Sequence, residues 1–363
     1  MTFSQSNPVT GYRMPAEWEP HEGTLLTWPH IPKGMSDHQH WPGLFDDVPA
    51  IWATMVKELE VGEDVHIAIH DDATEANARA AMKDAGVIGT RVHLHRIPNE
   101  FSWVRDHGPI VVKNAQGDRL FLDWMFNGWG GQWEVPNDDD VPTRLAQLLK
   151  QKSLKIPMVL EGGSIDVNGL GTLLTTEDCL LNPDRNPGLT KENIEEQLKM
   201  HLGLKKILWL GEGIQGDDTS GHVDDLTRFV GPRTVVTIVS DDPKDPDYAP
   251  LQENLRRLKT MTDQDDQPLE IVTITQPKPV FVSEQPTKAK HVAGEGFRIP
   301  ASYANFYIGN ECVLLPVWND PADAAAINTL QKCFPSRRIV PIDSRILTWG
   351  LGSFHCVTQQ IPI

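Results

Sequence analysis

The sequence predicts an α/β fold built from a recurring unit of two strands, a helix and a third strand. Pairs of short apolar runs flank Asn168-Gly169 and Gly309-Asn310, which is the pattern of a β-hairpin. After each pair come a helical stretch and another apolar run, as in Lys206–Leu210. The chain has no low-complexity segment and no long linker, so we expect one catalytic domain over residues 1–363.

The N-terminal part is the least regular. It is predicted to contain the strand Gly23–Trp28, the helix Phe45–Leu59, the strand Val65–Ile69, the helix Ala73–Ala85 and the strand Val92–Ile97.

Four units of strand, strand, helix and strand are then predicted in chain order. They are Gly108–Val112, Arg119–Trp124, Thr143–Lys150 and Pro157–Leu160; Gly163–Val167, Gly171–Thr176, a helix from near Thr190 to Gly203, and Lys206–Leu210; Val223–Val230, Thr234–Val239, Pro250–Met261 and Leu269–Ile274; and Ala304–Ile308, Cys312–Val317, Asp323–Phe334 and Arg338–Ile342.

One predicted strand, Ser353–Thr358, is left over at the end of the chain. We expect it to pair with Gly23–Trp28 and so to complete a fifth unit. Five units in a ring would leave no open ends of sheet. The alternative is an open α/β sheet with the same elements.

Composition limits the partners. There are 33 basic and 50 acidic residues, a net charge of −17, which disfavours nucleic-acid binding. Such a field attracts small cations, although it also serves solubility. No apolar run approaches the ~18 residues of a membrane span, and no secretory signal is recognisable. Four cysteines without a CxxC pair suit a reducing cytoplasm. The oligomeric state stays open, with a homo-oligomer among the alternatives.

Short polar clusters lie just before or at the first strand of the predicted units. They are Trp103–Gly108, Glu161–Ser164, Ser220–Asp225, Ser302–Asn305 and Ser353–Cys356. In a ring, equivalent positions converge on one axis, so we expect these clusters to line one pocket.

Cys356 is the candidate nucleophile. It follows His355 and the glycines Gly350 and Gly352, which let the backbone approach a ligand closely. A reactive cysteine needs a cation or base beside its thiolate. The alternative is a small buried apolar residue, which is how we interpret Cys179 and Cys312.

His222 is the candidate acid/base. If Gly221–Asp224 is extended, alternation places His222 and Asp224 on one face, where a carboxylate can orient an imidazole. A structural His–Asp pair is an alternative. A metal site of His222 with Asp217, Asp218 and Asp225 is another, but its remaining ligands are not evident.

Asp106 and Glu161 complete the candidate set. Their alternatives are a local ion pair with Arg105 and a solvated turn residue. One cysteine, one histidine and three carboxylates suit a planar cation, because a guanidinium presents its donors in a fork that carboxylates match two at a time.

Several longer motifs resemble those of the agmatine deiminases, which are related to the bacterial peptidylarginine deiminases among the guanidine-modifying enzymes. They are Met14-Pro-Ala-Glu-Trp-Glu-Pro-His21, Trp103-Val-Arg-Asp-His-Gly-Pro109, Phe126-Asn-Gly-Trp-Gly-Gly131, Leu160-Glu-Gly-Gly-Ser164, Gly171-Thr-Leu-Leu-Thr-Thr-Glu-Asp-Cys-Leu-Leu181, Gly221-His-Val-Asp224, Tyr303-Ala-Asn-Phe-Tyr307 and His355-Cys-Val-Thr-Gln-Gln360.

The resemblance implies a five-bladed α/β propeller, the pentein fold, and hydrolysis of agmatine to N-carbamoylputrescine and ammonia through a covalent thiouronium. It implies that Cys356 is the nucleophile, His222 the acid/base, Asp106 and Asp224 the guanidinium carboxylates, and Glu161 the support of the histidine. It implies no metal or organic cofactor.

We add Trp103 and Asp218 to the substrate-binding residues, with Asp217 or Asp218 as candidates for the distal amine. Two departures from the family pattern put the substrate in question. The run Gly350-Leu351-Gly352-Ser353 stands where the family has three glycines and Asn, and Asp225 stands where many members have Asn.

Three rival functions remain at this point. Arginine or peptidylarginine deimination would use the same chemistry, with Arg105 and Arg185 as the nearby cations. A cysteine protease would leave Asp106 and Glu161 unexplained. A propeller used only for binding would not need to retain both Cys356 and His222.

Overall fold

The computed structural model describes residues 9–32, 40–282 and 296–363. The strands in these ranges are β1 Tyr12–Arg13, β2 His21–Thr27, β3 Asp64–Ile69, β4 Val92–Arg96, β5 Ile110–Asn114, β6 Arg119–Met125, β7 Lys152–Val159, β8 Asp166–Val167, β9 Thr172–Thr176, β10 Lys206–Leu210, β11 Thr227–Phe229, β12 Thr234–Val239, β13 Glu270–Thr275, β14 Val280–Val282, β15 Phe297–Ile299, β16 Tyr307–Ile308, β17 Cys312–Val317, β18 Arg338–Asp343 and β19 Gln359–Pro362.

The α-helices are α1 Val48–Leu59, α2 Asp72–Ala85, α3 Val104–His107, α4 Val141–Leu148, α5 Glu177–Leu180, α6 Lys191–Leu202, α7 Tyr248–Leu258 and α8 Asp323–Cys333. Short 3₁₀ segments lie at Phe45–Asp47, Asp138–Asp140, Gly162–Ser164, Val223–Asp225 and Leu347–Gly350. None of the helices in the described part of the chain has the length and apolar character that crossing a membrane requires.

The recurring unit is confirmed. Five sheets share one plan, in which the first two strands pair antiparallel and the second and third pair parallel, with a helix between them. Their leading three strands are β5-β6-β7, β8-β9-β10, β11-β12-β13, β16-β17-β18 and β19-β2-β3. β14 and β15 form a separate hairpin. The fold is therefore a mixed α/β fold built from one repeated element.

The unit containing α6 shows how local sequence sets these boundaries. The Thr190 hydroxyl caps the helix by accepting the Asn193 backbone N–H, and the Asn193 side chain accepts the Thr190 N–H. The helix ends at Gly203, whose φ of 69° is left-handed and favours glycine. Its buried side chains, which include Leu198, pack with Leu173 of β9. The helix consequently covers its own sheet.

The end of the chain completes the first unit, as expected, but through different residues. β19 pairs antiparallel with β2, with Gln359 opposite Leu25. The predicted strand Ser353–Thr358 is wrong, because these residues form turns in which the Thr358 N–H donates to the His355 carbonyl. The candidate nucleophile therefore lies in the loop before the strand.

The first strands of three other units are also shorter than predicted. Gly162–Ser164 and Val223–Asp225 form 3₁₀ turns before β8 and β11, and only Tyr307–Ile308 remains extended in the fourth unit. The remaining residues of these segments lie in loops because their polar groups bond to other units. The Ser302 hydroxyl, for example, donates to the Asp225 carbonyl.

Candidate active site

The loops that enter the first strand of the five units meet at one place. They contribute the following side chains to it: Asp106 of α3 before β5, Glu161 before β8, His222 and Asp224 before β11, Asn305 before β16, and Cys356 before β19. The expected convergence of the polar clusters is therefore present in the structure.

The Cys356 side chain lies close to several carboxylates. Its Sγ is 3.7 Å from Asp224 Oδ2, and its side chain is buried. Burial, followed by the charges of Asp224, Asp225 and Asp106, raises the pKa of the Cys356 thiol well above its ordinary value. A cation bound beside these carboxylates would offset their charges and so make ionisation of the thiol easier.

Asn305 is a site residue that sequence reasoning left out of the candidate set. Its Nδ2 donates to Cys356 Sγ at 3.1 Å and to Asp225 Oδ1 at 2.9 Å. Its Oδ1 accepts the backbone N–H groups of His355 and Cys356. The Ser302–Asn305 cluster was the available signal. Asn305 fixes both the backbone and the sulfur of the nucleophile.

The expected pairing of Asp224 with His222 is wrong in detail, because Val223–Asp225 is a 3₁₀ turn and not a strand. Asp224 Oδ2 bonds His355 Nδ1 at 2.7 Å, and His355 Nε2 bonds Glu17 at 2.8 Å. Burial would raise the pKa of Asp224, but the His355 hydrogen bond and charge lower it. Asp224 Oδ1 has no hydrogen-bond partner in the described residues, so it can accept from a ligand.

His222 lies between two other carboxylates. Its Nδ1 is 3.7 Å from Asp106 Oδ1 and its Nε2 is 3.9 Å from Glu161 Oε2. Burial would lower the pKa of His222, but the nearby charges, led by Asp106, raise it well above its ordinary value. The imidazole is therefore held ready to give a proton.

The pKa values of the two carboxyl groups beside His222 are shifted in opposite directions. Burial, aided by the charges of Asp224 and Glu161, raises the pKa of Asp106 to about 6. Burial would also raise the pKa of Glu161, but Arg185 and His222 together lower it to about 2. Arg185 Nε donates to Glu161 Oε1 at 3.2 Å. Glu161 is thus a fixed anion beside the imidazole.

Gly163 is required where these side chains meet. A Cβ at this position would lie 2.5 Å from His222 Nδ1 and 2.9 Å from both Asp106 Oδ1 and Asp224 Oδ2. Its N–H donates to Asp106 Oδ1 at 3.1 Å. Any side chain here would displace the acid/base candidate and both guanidinium carboxylates.

Trp129 is a second site residue missing from the sequence-based set. It lies in a left-handed turn, Gly128–Gly131, with a φ of 54° at the tryptophan itself. Glycines on both sides supply the same backbone region without steric cost. The turn directs the indole Nε1 to donate to Asp106 Oδ2 at 2.8 Å. The repeated glycines of Gly-Trp-Gly-Gly were the sequence signal.

A narrow cavity opens onto Cys356. Trp103, Trp129, Asp106, Asp218 and Thr219 line it together with Gly350, Leu351 and His40. Aromatic faces and carboxylates together suit a planar cation. Trp103 and Asp218 therefore lie where the sequence predicts substrate-binding residues.

Asp218 also borders a wider adjoining cavity of about 610 Å³. Burial and the charge of Asp217 raise the pKa of Asp218 to about 8. A bound cation would favour its ionised form. This side chain is half-buried between the two cavities.

The alternative metal site of His222 with Asp217, Asp218 and Asp225 does not form a ligand cluster in the described residues. Asp217 accepts the backbone N–H groups of Thr219, Gly221 and His222, and so holds the turn before the histidine. Asp225 instead accepts from Asn305. Within the described residues, the one group with metal-like spacing is Glu161, Cys179 and His222.

A model of the Porphyromonas-type peptidyl-arginine deiminase family matches residues 13–362. The chain belongs to this family.

Curated relatives and solved structures agree with this membership. The agmatine deiminase of Ectopseudomonas mendocina is 36% identical over 99% of this chain and 98% of its own length. The structure of agmatine deiminase of Enterococcus faecalis is similar over 100% of this chain and 99% of that chain, with 32% identity and a TM-score of 0.89. The agmatine deiminase of C. jejuni aligns over 98% of both chains with 28% identity and a TM-score of 0.82.

In this deiminase-family chain, a residue with a strained backbone lies shortly before the candidate nucleophile, Cys356. Leu351 has a φ of 70°, where a bulky side chain is uncommon. Its side chain lines the cavity and packs with Phe297 and Ile299 of β15. The departure noted at Gly350–Ser353 therefore lies in the wall of the site.

Proposed function

We propose that this protein is an agmatine deiminase, which hydrolyses agmatine to N-carbamoylputrescine and ammonia. The observation that carries the proposal is an aromatic-lined cavity with Cys356 and Asp106 in its wall. Directly behind them, His222 lies beside Asp106 and Asp224 lies beside Cys356. A thiol, an imidazole acid and two carboxylates are the groups that guanidinium hydrolysis needs. The names of the relatives support the same reaction.

We also propose that the five units close into a five-bladed α/β propeller and that residues 1–363 form a single catalytic domain. The meeting of all five entry loops at one site and the pairing of β19 with β2 support this arrangement. The four free cysteines support a reducing cytoplasmic location.

The surrounding charges favour agmatine over arginine, because an α-carboxylate would need a cation to bind it. Arg185 is engaged by Glu161 and by the Thr219 carbonyl. Arg105 is engaged by Gln360, Glu17 and the His355 carbonyl.

The basic residue Arg298 in the wall of the wider cavity is also paired, with Asp245 at 2.6 Å and with Asp247 at 2.7 Å. Asp218 stands at the junction of the two cavities, at the outer side of the site. We propose that Asp218 binds the distal amine, whose charge would favour the ionised carboxylate.

In the first half of the reaction, Asp106 and Asp224 hold the guanidinium, and its charge favours release of the Cys356 proton to solvent. The thiolate attacks the guanidinium carbon, a C–S bond forms, and the C=N electrons move to nitrogen. His222 protonates one terminal nitrogen, the C–N bond breaks and ammonia leaves. An S-alkylthiouronium remains on Cys356.

In the second half, neutral His222 takes a proton from water as the oxygen attacks the same carbon. The C–S bond breaks with its electrons on sulfur, the hydroxyl proton passes to that sulfur, and the ureido product and the thiol are released. Glu161 positions the imidazole for both transfers. General acid–base help of this kind contributes ~10²–10⁴-fold.

The test is a side-by-side assay of agmatine, free arginine and an arginyl peptide, with ammonia and ureido product measured for each. The proposal expects kcat/KM to be highest for agmatine. It also expects Asp218→Asn to raise KM for agmatine more than it lowers kcat. A higher kcat/KM for arginine or the peptide would contradict the substrate assignment and favour the alternative deiminase activity.

A further inference from the structure

The thiol of Cys179 lies close to His222, the proposed acid/base. Packing among apolar residues does not account for this position. It belongs to α5, is fully buried and is a free thiol. One potential ligand atom each of Cys179, Glu161 and His222 lies within 4.8 Å of the other two. The deiminase reaction described above gives this thiol no task.

Two atoms of the side chains grouped with this thiol lack hydrogen-bond partners in the described residues. Glu161 Oε2 and His222 Nε2 are 3.9 Å apart, too far for a hydrogen bond, and neither has another partner in the described residues. Both side chains are at most 1% exposed. Unpaired buried polar atoms are costly and require an explanation, of which a ligand is one.

Supporting groups surround these side chains as they do around metal ions. Arg185 Nε donates to Glu161 Oε1 at 3.2 Å, and the Asp106 carboxylate faces His222 Nδ1 at the longer distance of 3.7 Å. The Cys179 backbone N–H donates to the Thr176 hydroxyl at 3.2 Å. Such supporting contacts orient metal-binding side chains.

We propose that Glu161, Cys179 and His222 form a binding site for one thiophilic divalent cation of the zinc class, and that its occupation blocks the deiminase. A thiolate, an imidazole and a carboxylate select zinc-like ions over magnesium or calcium. Two ligand anions balance the charge of the ion.

The spacing suits this assignment. Ligand atoms around tetrahedral zinc are roughly 3.3–3.8 Å apart, and the three atoms lie within 4.8 Å of one another. An inward movement of about 1 Å or less closes the site, with a fourth position left for water. A metal-bound imidazole cannot become the imidazolium acid that the proposed mechanism needs from His222, so the inhibition rests on the proposed function while the binding does not.

The test measures binding in the full chain without relying on activity. Cobalt(II) is titrated into Cys356→Ser, which removes the nucleophile thiol and keeps Cys179. The expected result is one cobalt per chain, with a thiolate-to-metal charge-transfer band and tetrahedral visible bands that zinc abolishes.

Adding Cys179→Ala or Cys179→Ser should remove the bands, while adding Cys312→Ala should keep them. Cys312 is the matched control because it is also buried. Its thiol donates to the Glu58 carbonyl and is not grouped with other potential metal ligands in the described part of the chain. Thermal melting confirms that each variant is folded. Bands that are absent from Cys356→Ser, or that survive both Cys179 substitutions, would overturn the proposal. If the protein turns over agmatine, the zinc concentration that halves its activity should be at least tenfold higher for Cys179→Ser than for the unmodified protein.

Discussion

Asp224 Oδ2 lies 2.7 Å from His355 Nδ1, and this contact separates the roles of the two histidines at the site. His355 precedes the nucleophile, but both of its ring nitrogens face carboxylates, Asp224 and Glu17. His222 has no hydrogen bond to either ring nitrogen in the described residues. His222 can therefore exchange a proton with a substrate, whereas His355 orients Asp224.

The first prediction contrasts these histidines. His222→Asn should lower kcat for agmatine by about 10²–10⁴, because it removes the general acid–base. It should lower the melting temperature less than His355→Gln does, because neither ring nitrogen of His222 makes a hydrogen bond in the described residues. His355→Gln should instead lower stability by about 3–5 kcal/mol in urea unfolding, because it breaks a buried ionic network. Near-normal turnover in His222→Asn would contradict the assignment.

The second prediction concerns Gly163. Gly163→Ala should lower kcat/KM by about 10² or more, because a Cβ would push against His222, Asp106 and Asp224, and small displacements are costly at a reaction centre. Gly231→Ala is the matched control, since its Cβ would meet only Thr234 at 3.5 Å. Equal kinetics in the two variants would show that this close packing has no role.

The third prediction concerns Glu17. Burial would raise the pKa of Glu17, but the charges of Arg228, His355 and Arg105 hold it well below its ordinary value. Glu17→Gln leaves these buried cations underpaired, so we expect a loss of about 3–5 kcal/mol in the free energy of unfolding.

The sign of its pH dependence follows from the lowered pKa. The stabilisation by Glu17 is fully present above its unfolded pKa of 4.5 and is lost as the pH falls through its folded value. Glu22→Gln is the control, because its pair with Arg119 is partly exposed and should contribute about 1 kcal/mol or less. Equal losses in the two variants at pH 7 would refute the buried network.

The fourth prediction concerns the thiol of Cys356 without substrate. Its pKa is raised well above the ordinary value of 9.0 by burial and by the charges of Asp224, Asp225 and Asp106. Alkylation by iodoacetamide, followed by peptide mapping, should therefore accelerate about tenfold per pH unit from 7 to 9 without a plateau. The unfolded protein, as control, should approach its plateau near pH 9. A plateau below pH 8 in the folded protein would contradict the raised pKa.

The repeated unit was predictable because it depends on local patterns. Lys206–Leu210, Thr234–Val239 and Cys312–Val317 have the predicted bounds, since each is an apolar run buried within its own unit. The errors concentrate in first strands such as Val223–Val230 and Ser353–Thr358. Their polar residues bond to distant units, so neighbouring sequence does not determine their conformation.

The composition of the site was likewise predictable, but its pairings were not. Cys356 and His222 stand in recognisable motifs. The bond from Asp224 to His355 joins residues 131 positions apart, and only the packing of units sets it. Asn305 was missed for the same reason, because its partner Cys356 lies in another unit. Trp129 and its partner Asp106 belong to one unit, but a left-handed turn brings them together and the strand and helix pattern does not reveal that turn.

The central assignment is Cys356 as the nucleophile of agmatine hydrolysis. Intact mass spectrometry of enzyme quenched with acid during turnover tests it most directly. The expected species is heavier than the free protein by the mass of agmatine less ammonia, with the addition mapped to Cys356. Cys333→Ser, a half-buried cysteine in α8, should retain the adduct and full ammonia release. Cys356→Ser should lose both. Ammonia release that survives in Cys356→Ser, or an adduct on another residue, would contradict the account.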